Sequence, residues 1–409
     1  MLREIFVDTL IIVCLSGIAA GRLPFLRMNR AALAFAGAAA LILSGALSPR
    51  EAFAAVDLGT LALILSMMVV AANLRISGFF AWASERILLL ARSSRGLLAA
   101  VVAVSGVFSA LFLNDTLCLV LTPLVAELCL SGRRDPVPYL IGVATAANVG
   151  SCATIIGNPQ NMLIGASSGI PFGTFFLRLA LPSAAGLAVC WAVIVLAFPK
   201  EFRFGRPLSA GPAATRSAEN PALLRKSLVA AALMVAGLAA GMPTTTAALA
   251  AAAFLLVSRR TESERVLAEV DFSLLVFFAG LFIITRAIEG TALFRAAVGA
   301  VLPAASRSPW AFSGASLALS NLVSNVPAVM LLRPMIPSFP DPGNAWLLLA
   351  LSSTFAGNLT LLGSVANLIV AEGAKRSGIE LSFGSYLRAG LPITVLTAAL
   401  GTAWLAATS

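Results

Sequence analysis

The sequence has no histidine and few charged residues. Histidine is the usual proton shuttle and a common metal ligand, so its absence from all 409 residues leaves carboxylates to carry any buried proton. Charged residues make up 11% of the chain, against roughly 25% in soluble domains, and hydrophobic residues make up 59%. Because apolar runs of about 20 residues follow one another with short loops between them, we expect an all-α polytopic membrane protein.

Other scarce features exclude further classes of protein. Without histidine there is no Ser-His pair and no zinc-protease helix, and the P-loop pattern of a primary pump is also absent, so neither an enzyme nor a bound metal or other cofactor is expected. The five cysteines form no CxxC pair and lie in apolar runs, which is typical of small membrane hydrophobes. The net charge of +10 is mostly loop arginine, which favours contact with lipid headgroups over nucleic-acid binding.

A polar cluster interrupts the apolar sequence between Gly96 and Leu130. Asn114, Asp115 and Thr116 stand side by side where a membrane helix would otherwise continue. Polar groups at bilayer depth are expensive and persist where they line a cavity or bind a ligand, and a carboxylate must also be neutralised, paired or hydrated. This cluster is therefore the first candidate for a binding site.

The cluster recurs in the second half of the chain. Asn325 stands nine residues before Pro334, as Asn114 stands nine residues before Pro123. Each cluster is followed by a threonine, a glycine three residues later and an asparagine four residues after that: Thr154, Gly157 and Asn161 in the first half, Thr360, Gly363 and Asn367 in the second. Paired, interrupted apolar segments in corresponding positions of two halves indicate the binding site of a secondary transporter.

The duplication predicts the domain organisation. The first repeat with its leading spans covers residues 1–198, a basic loop covers 199–226, and the second repeat covers 227–409. Re-entrant hairpins are expected at about 113–131 and 324–337, with helix breaks at 157–161 and 363–367. Residues 79–92 read as an amphipathic interfacial helix. Counting 227–241 and 244–257 as two crossings predicts parallel repeats, whereas an odd number of crossings predicts inverted repeats, and the sequence allows both.

Amides, hydroxyls and free helix ends from both halves are expected to bind the substrate or ion. The predicted site consists of Asn114, Asp115, Thr116, Thr154, Gly157, Asn158, Asn161, Ser324, Asn325, Thr360, Gly363, Ser364 and Asn367. The competing interpretation of each residue is a helix cap or an interhelical hydrogen bond. Cys118 and Cys152 lie beside the first-half motifs and are either packing residues or soft ligands for trivalent arsenic.

Asp115 is predicted to carry the coupling proton or cation. Burial favours the protonated form of a carboxyl group and a bound cation favours the ionised form, so such a group can exchange one for the other. The alternative is a permanent ion pair with an arginine such as Arg333. Asp57 and Asp271 each precede an apolar run and are interpreted as N-caps rather than site residues.

These motifs resemble the ion transporter superfamily of arsenite permeases, sodium/proton antiporters and citrate or dicarboxylate carriers. The resemblance covers nearly the whole chain, and its most specific segments are residues 112–116, 156–164, 324–327 and 363–369. The Asn-Asp pair in the first hairpin is most similar to arsenite-permease-like proteins. Sodium-coupled dicarboxylate carriers typically show Ser-Asn-Thr in both hairpins, and here neither hairpin matches that pattern fully.

The resemblance implies inverted repeats, hairpin tips and helix breaks that meet near the bilayer midplane, and a transport domain that moves against a scaffold. It also implies a multi-pass protein of the cell inner membrane, with a homodimer and a separate ATPase subunit as further partners. Three functions follow as alternatives: proton-coupled efflux of arsenite or antimonite, sodium-coupled carriage of a dicarboxylate or inorganic anion, and sodium/proton antiport. The absence of arginine and lysine from the four motifs favours the first.

Overall fold

The computed structural model describes residues 2–20, 28–88, 91–202, 220–257 and 263–409, and within them the chain is built from helices. The first ten are α1 Leu2–Ala20, α2 Arg30–Leu43, α3 Pro49–Ala55, α4 Leu58–Ile76, α5 Phe79–Leu88, α6 Ser94–Leu111, α7 Asn114–Ser131, α8 Pro136–Ser151, α9 Pro159–Ser168 and α10 Phe172–Ala197. The second ten are α11 Pro221–Ala239, α12 Thr244–Leu256, α13 Ser263–Ala268, α14 Phe272–Glu289, α15 Ala292–Ala305, α16 Pro309–Val323, α17 Asn325–Leu332, α18 Pro342–Ala356, α19 Val365–Arg376 and α20 Phe383–Ala407.

Seven of these described helices are long and apolar enough to cross a membrane, which confirms the polytopic helical fold. The helices of the second half follow the order and approximate lengths of those in the first, so the predicted duplication extends to ten elements per repeat. A short 3₁₀ helix, Arg333–Ser338, continues α17. Most of the predicted basic loop lies outside the described residues.

The two repeats are inverted. Arg75 near the end of α4 forms an ion pair with Glu269, which lies just before the start of α14, so the end of one helix meets the start of its counterpart. Likewise, the indole N–H of Trp404, late in α20, donates to the carbonyl of Arg178, early in α10 (3.0 Å). Counterpart helices therefore run antiparallel, which decides between the two orientations that the sequence allowed.

The helices pack in two groups. A flanking group contains α1–α4 and α11–α14. In this group α2 of the first repeat packs along α14 of the second, and α12 of the second repeat packs along α4 of the first. A hairpin group contains α6–α10 and α16–α20, with α10 against α20 and α7 against α19. The amphipathic helix α5 joins the groups, and its Phe79 and Phe80 pack edge-to-face on Phe112 at the tip of the first hairpin.

Each hairpin turns within two residues at its polar cluster. In the first repeat α6 ends at Leu111 and α7 begins at Asn114, whose backbone N–H donates to the carbonyl of Gly157 (3.1 Å) in the helix break. In the second repeat Ser324 separates α16 from α17 with a φ of 78°, a left-handed conformation that is costly for a residue with a Cβ atom. The first hairpin tip is thus held against the first helix break.

The helix breaks form where the sequence supplies a new N-cap. Asn158 accepts from the backbone N–H of Asn161 (2.8 Å) and Pro159 opens α9, while Ser364 caps α19 through Ala366 (3.3 Å). Gly157 is required by close packing, because a Cβ atom there would lie 2.3 Å from the carbonyl oxygen of Ser151. The chain therefore leaves helical geometry over residues 152–158 and 357–364.

Candidate functional site

The two helix breaks are stabilised by asparagines at equivalent positions of the two repeats. The side-chain amide of Asn161 donates to the carbonyls of Ser151 (3.2 Å) and Thr154 (2.9 Å). In the second repeat the amide of Asn367 donates to the carbonyls of Gly357 (2.7 Å) and Thr360 (3.0 Å). Both side chains are fully buried, so these amides satisfy carbonyls that the interrupted helices would otherwise leave unpaired.

Asn148 connects the two repeats. Its amide nitrogen donates to the side-chain oxygens of Asn358 (2.9 Å) and Asn367 (3.0 Å). Its amide oxygen accepts from Asn114 (3.3 Å) and Ser364 (3.0 Å). Asn114 lies in the first hairpin tip, Asn358 and Ser364 lie in the second helix break, and Asn367 lies in the first turn of α19, so this one buried side chain fixes the first tip against the second break.

Thr354 occupies the corresponding position in α18. Its hydroxyl donates to the side-chain oxygen of Asn161 and accepts from the amides of Asn158 and Gln160, each at 3.4 Å. These bonds are longer than those of Asn148, and a hydroxyl offers fewer hydrogen bonds than an amide. Thr354 therefore holds the second repeat to the first helix break more weakly than Asn148 holds the first repeat to the second helix break.

A cavity of about 570 Å³ lies between the flanking group and the hairpin group. The hairpin group supplies polar groups from both tips and from the N-termini of α9 and α19: Asn114, Asp115, Gln160, Ser324, Asn325 and Ser364. The flanking group contributes the beginnings of α2 and α14, including Asn29, Arg30, Asp271 and Ser273. The volume suits a small solute, and the position between two separately packed groups suits alternating access.

Among the described residues, three charged side chains line this cavity: Arg30, Asp115 and Asp271. Within the described parts of the chain Asp115 makes no ion pair. Arg333, the partner that the sequence offered as an alternative, instead donates to the hydroxyl of Ser167 (3.5 Å) and stacks over Phe282 at 5.8 Å. The carboxyl group of Asp115 is therefore available to a proton, a cation or the substrate.

Asn325 has a buried side-chain oxygen without a donor among the described residues, although the residue lines the cavity and is only 8% exposed. Leaving a buried acceptor unpaired costs about 1–3 kcal/mol. Such a group is expected where a ligand that carries O–H or N–H groups completes the hydrogen bonding.

The structure divides the predicted site residues into two layers. Asn114, Asp115, Ser324, Asn325 and Ser364 line the cavity directly. The remaining predicted residues are not part of its lining: Thr116, Thr154, Gly157, Asn158, Asn161, Thr360, Gly363 and Asn367. Among these, Thr154 donates to the carbonyl of Ala110, and Asn158, Asn161 and Asn367 support the helix breaks. Cys118 and Cys152 are fully buried and do not line the cavity.

Sequence reasoning missed the residues whose importance depends on tertiary pairing. Asn148 and Gln160 were visible as amides in apolar surroundings, and that was the only signal for them. Asp271 does cap α14, accepting from the N–H of Leu274 (3.3 Å), but it also faces the cavity. Arg30 precedes an apolar run, and nothing in the sequence places it in the same cavity as Asp115.

Inverted helical repeats whose hairpin tips and helix breaks border a polar cavity define a membrane transporter of small solutes, and comparisons with known proteins agree. The silicon efflux transporter LSI3 of Oryza sativa subsp. japonica is 32% identical over 92% of both chains. A transporter named arsB from Dictyostelium discoideum is 26% identical over 97% of this chain and 90% of its own.

Two solved structures share the fold. The YdaH transporter of Alcanivorax borkumensis superposes with a TM-score of 0.59 at 15% identity, covering 99% of this chain and 98% of its own. MtrF of Neisseria gonorrhoeae, described as an antimetabolite efflux pump, superposes with a TM-score of 0.60 at 12% identity, covering 98% of this chain and 94% of its own. The chain belongs to the CitMHS citrate transporter family, whose model matches residues 11–351.

Proposed function

We propose that this protein exports a small uncharged inorganic hydroxide, arsenite or antimonite, across the cell inner membrane in exchange for protons. The observation that carries the proposal is the placement of Asp115, whose carboxyl group forms no ion pair with the described residues, in one cavity with amides and hydroxyls from both hairpin tips and the second helix break. Arsenite is a neutral hydroxide at pH 7, so it both donates and accepts hydrogen bonds. Amides and hydroxyls also do both, and they therefore suit arsenite as a ligand.

The amide of Asn325 has an oxygen without a donor among the described residues and an NH2 group, so it suits a ligand that has both O–H groups and acceptor oxygens. A dicarboxylate at neutral pH has acceptor oxygens only, and it would also face the carboxylates of Asp115 and Asp271 in the same cavity. A neutral hydroxide avoids both conflicts, since its O–H groups can donate to Asn325 and to an ionised carboxylate.

The names of two relatives support this class of substrate. One is called a silicon efflux transporter, and silicon in neutral water is silicic acid, again a small uncharged hydroxide. Another is named arsB. Silicic acid is therefore the second substrate to test at the same site.

We assign the cavity to the cytoplasmic side of the membrane. It opens near the starts of α2 and α14, and the inverted topology places the end of α10 and the turn between α7 and α8 on that side. Basic residues of these segments include Arg133, Arg134 and Lys200. Positive loops mark the cytoplasmic face, so the conformation faces inward and is ready to receive solute from the cytoplasm.

Transport then follows from movement of the hairpin group against the flanking group. The substrate binds while Asp115 is ionised, the hairpin group carries it toward the opposite face, and a proton from that face binds Asp115 as the substrate leaves. A dimer formed through the flanking group and a separate ATPase subunit are further predictions of the resemblance to arsenite permeases.

A sodium-coupled carrier of a dicarboxylate or other anion is the second candidate, because Arg30 supplies a positive charge in the cavity and the family is named for citrate. In that case Arg30 pairs with the bound anion. Replacement by Gln would then abolish transport, whereas a neutral hydroxide would still be carried.

Transport into everted vesicles tests both candidates. Arsenite, silicic acid and labelled succinate are supplied separately, with proton or sodium gradients imposed one at a time. We expect arsenite uptake driven by an acidic vesicle interior and lost in Asp115→Asn. Sodium-dependent succinate uptake that is lost in Arg30→Gln would overturn the proposal in favour of the anion carrier.

A further inference from the structure

The second carboxylate of the cavity, Asp271, comes from the flanking group. Its side chain caps α14 and lines the same cavity as Asp115. Its counterpart in the inverted repeat, Asp57, caps α4 through the N–H of Thr60 (3.0 Å) and does not line this cavity. Capping explains why each repeat has an aspartate at this position, but it does not explain why one of the two faces the site.

The charges that face Asp115 are few. From α14 it faces Asp271, from α2 it faces Arg30, and α9 presents the neutral amide of Gln160. Glu269, which lies near Asp271, is paired with Arg75 at the end of α4. The cavity therefore holds two carboxylates and one guanidinium among its described lining residues, and the two carboxylates belong to helix groups that pack separately.

We propose that Asp271 is a positioning residue that controls, from the flanking group, when Asp115 holds its proton. Two like charges that line one cavity repel each other, so a negative charge on Asp271 favours the protonated form of Asp115. Movement of the hairpin group changes the separation of the two carboxylates and with it the strength of this repulsion. Proton binding is thereby linked to the position of the moving group.

This inference rests on the proposed proton coupling through Asp115, and Asp271→Asn tests it with little disturbance of the fold. Asparagine is as good an N-cap as aspartate, so α14 keeps its cap and only the charge is lost. Asp57→Asn is the matched control, because it removes the same charge from the counterpart cap outside the cavity. Asp271→Glu, which retains the charge, is the rescue variant.

The first measurement is the initial rate of arsenite uptake into everted vesicles as a function of pH. We expect the pH of half-maximal rate to fall by roughly one unit in Asp271→Asn, because the repulsion on Asp115 is gone. The profile should stay in place in Asp57→Asn and return toward its original position in Asp271→Glu. An unchanged midpoint in Asp271→Asn, at whatever rate, would overturn the inference, and a profile identical to that of the wild type would show that Asp271 serves only as a cap.

The second measurement does not need a transported substrate. The infrared band of protonated Asp115 is isolated in purified protein by subtracting the spectrum of Asp115→Asn, and its titration midpoint is followed with pH. The midpoint should be lower in Asp271→Asn than in the wild type. An unchanged midpoint overturns the inference even if arsenite is transported, whereas a shifted midpoint without arsenite transport overturns only the proposed substrate.

Discussion

The two hairpin tips occupy equivalent positions in the repeats and carry different chemistry. The first tip has Asn114 followed by Asp115, and its asparagine is held by Asn148. The second tip has Asn325 followed by Val326, and the side-chain oxygen of this asparagine has no donor in the part of the chain that the structure describes. The inverted repeat thus supplies two similar backbones, of which one carries the ionisable group and the other an open hydrogen-bond acceptor.

This difference shows how a duplicated fold forms an asymmetric site. The charge of a coupling group is needed once, since a second buried carboxylate at the other tip would add desolvation and repulsion. Each repeat needs its own helix break, and both repeats have a glycine and an asparagine there: Gly157 with Asn161, and Gly363 with Asn367. Repetition therefore indicates structural roles, and departures from repetition indicate the chemistry.

The largest effect is expected at the tip carboxylate. Asp115→Asn should lower proton-driven uptake at least about 100-fold, as when other proton-transfer groups are removed, because the amide cannot titrate. Val326→Asn places the same amide at the equivalent position of the second tip and is the control, with a change of only a few-fold expected. Equal losses in the two variants would contradict the assignment of coupling to the first tip.

Loss of the connecting asparagine should destabilise the protein next most strongly. Asn148→Ala removes one hydrogen bond from each of Asn114, Asn358, Asn367 and Ser364, and we expect a loss of about 3 kcal/mol in the free energy of unfolding. Thr354→Ala should cost about 1 kcal/mol, since its bonds are longer. Denaturation in detergent measures both, and a larger loss in Thr354→Ala would reverse the comparison.

Replacing the glycine of the first helix break should destabilise the fold more than replacing the glycine of the second. Gly157→Ala brings a Cβ atom to 2.3 Å from a backbone oxygen, whereas Gly363→Ala brings one to 2.9 Å. We expect a loss of about 2–3 kcal/mol for the first change and about 1 kcal/mol for the second, within the usual range for overpacking. Thermal unfolding provides the comparison, and equal losses would mean that both breaks relax alike.

The smallest effect concerns the strained second tip. Ser324→Gly removes the cost of a positive φ angle and should stabilise the fold by about 1 kcal/mol. Ser324→Ala removes the hydroxyl but keeps the strain, so it should give no such gain. If the two variants are equally stable in chemical denaturation, the left-handed conformation at residue 324 is not strained.

The sequence predicted those features that follow from local pattern. The duplication, both helix breaks, the caps at Asp57 and Asp271, and the polar tips at Asn114 and Asn325 all depend on spacing and residue type within a short segment. In the structure the tips and caps lie at the predicted residues, whereas the helix breaks, at 152–158 and 357–364, begin five and six residues before the predicted 157–161 and 363–367 and end early, because Asn158 and Ser364 already cap the helices that follow.

The other features depend on contacts between distant segments. The orientation of the repeats required the pairing of Arg75 with Glu269. The network of Asn148 joins residues 210 and 219 positions away in the sequence, and no local pattern predicts such contacts. The same holds for Arg30, which reaches the cavity because α2 packs along α14 of the other repeat.

The most direct test of the account is whether solute movement carries protons through Asp115. The purified protein is placed in liposomes that contain a pH-sensitive dye, and an arsenite gradient is imposed without any pH gradient. The account predicts proton flow opposite to the arsenite flow in the wild type and in Val326→Asn, and none in Asp115→Asn. Arsenite movement with no proton flow in the wild type, or with undiminished proton flow in Asp115→Asn, would contradict it.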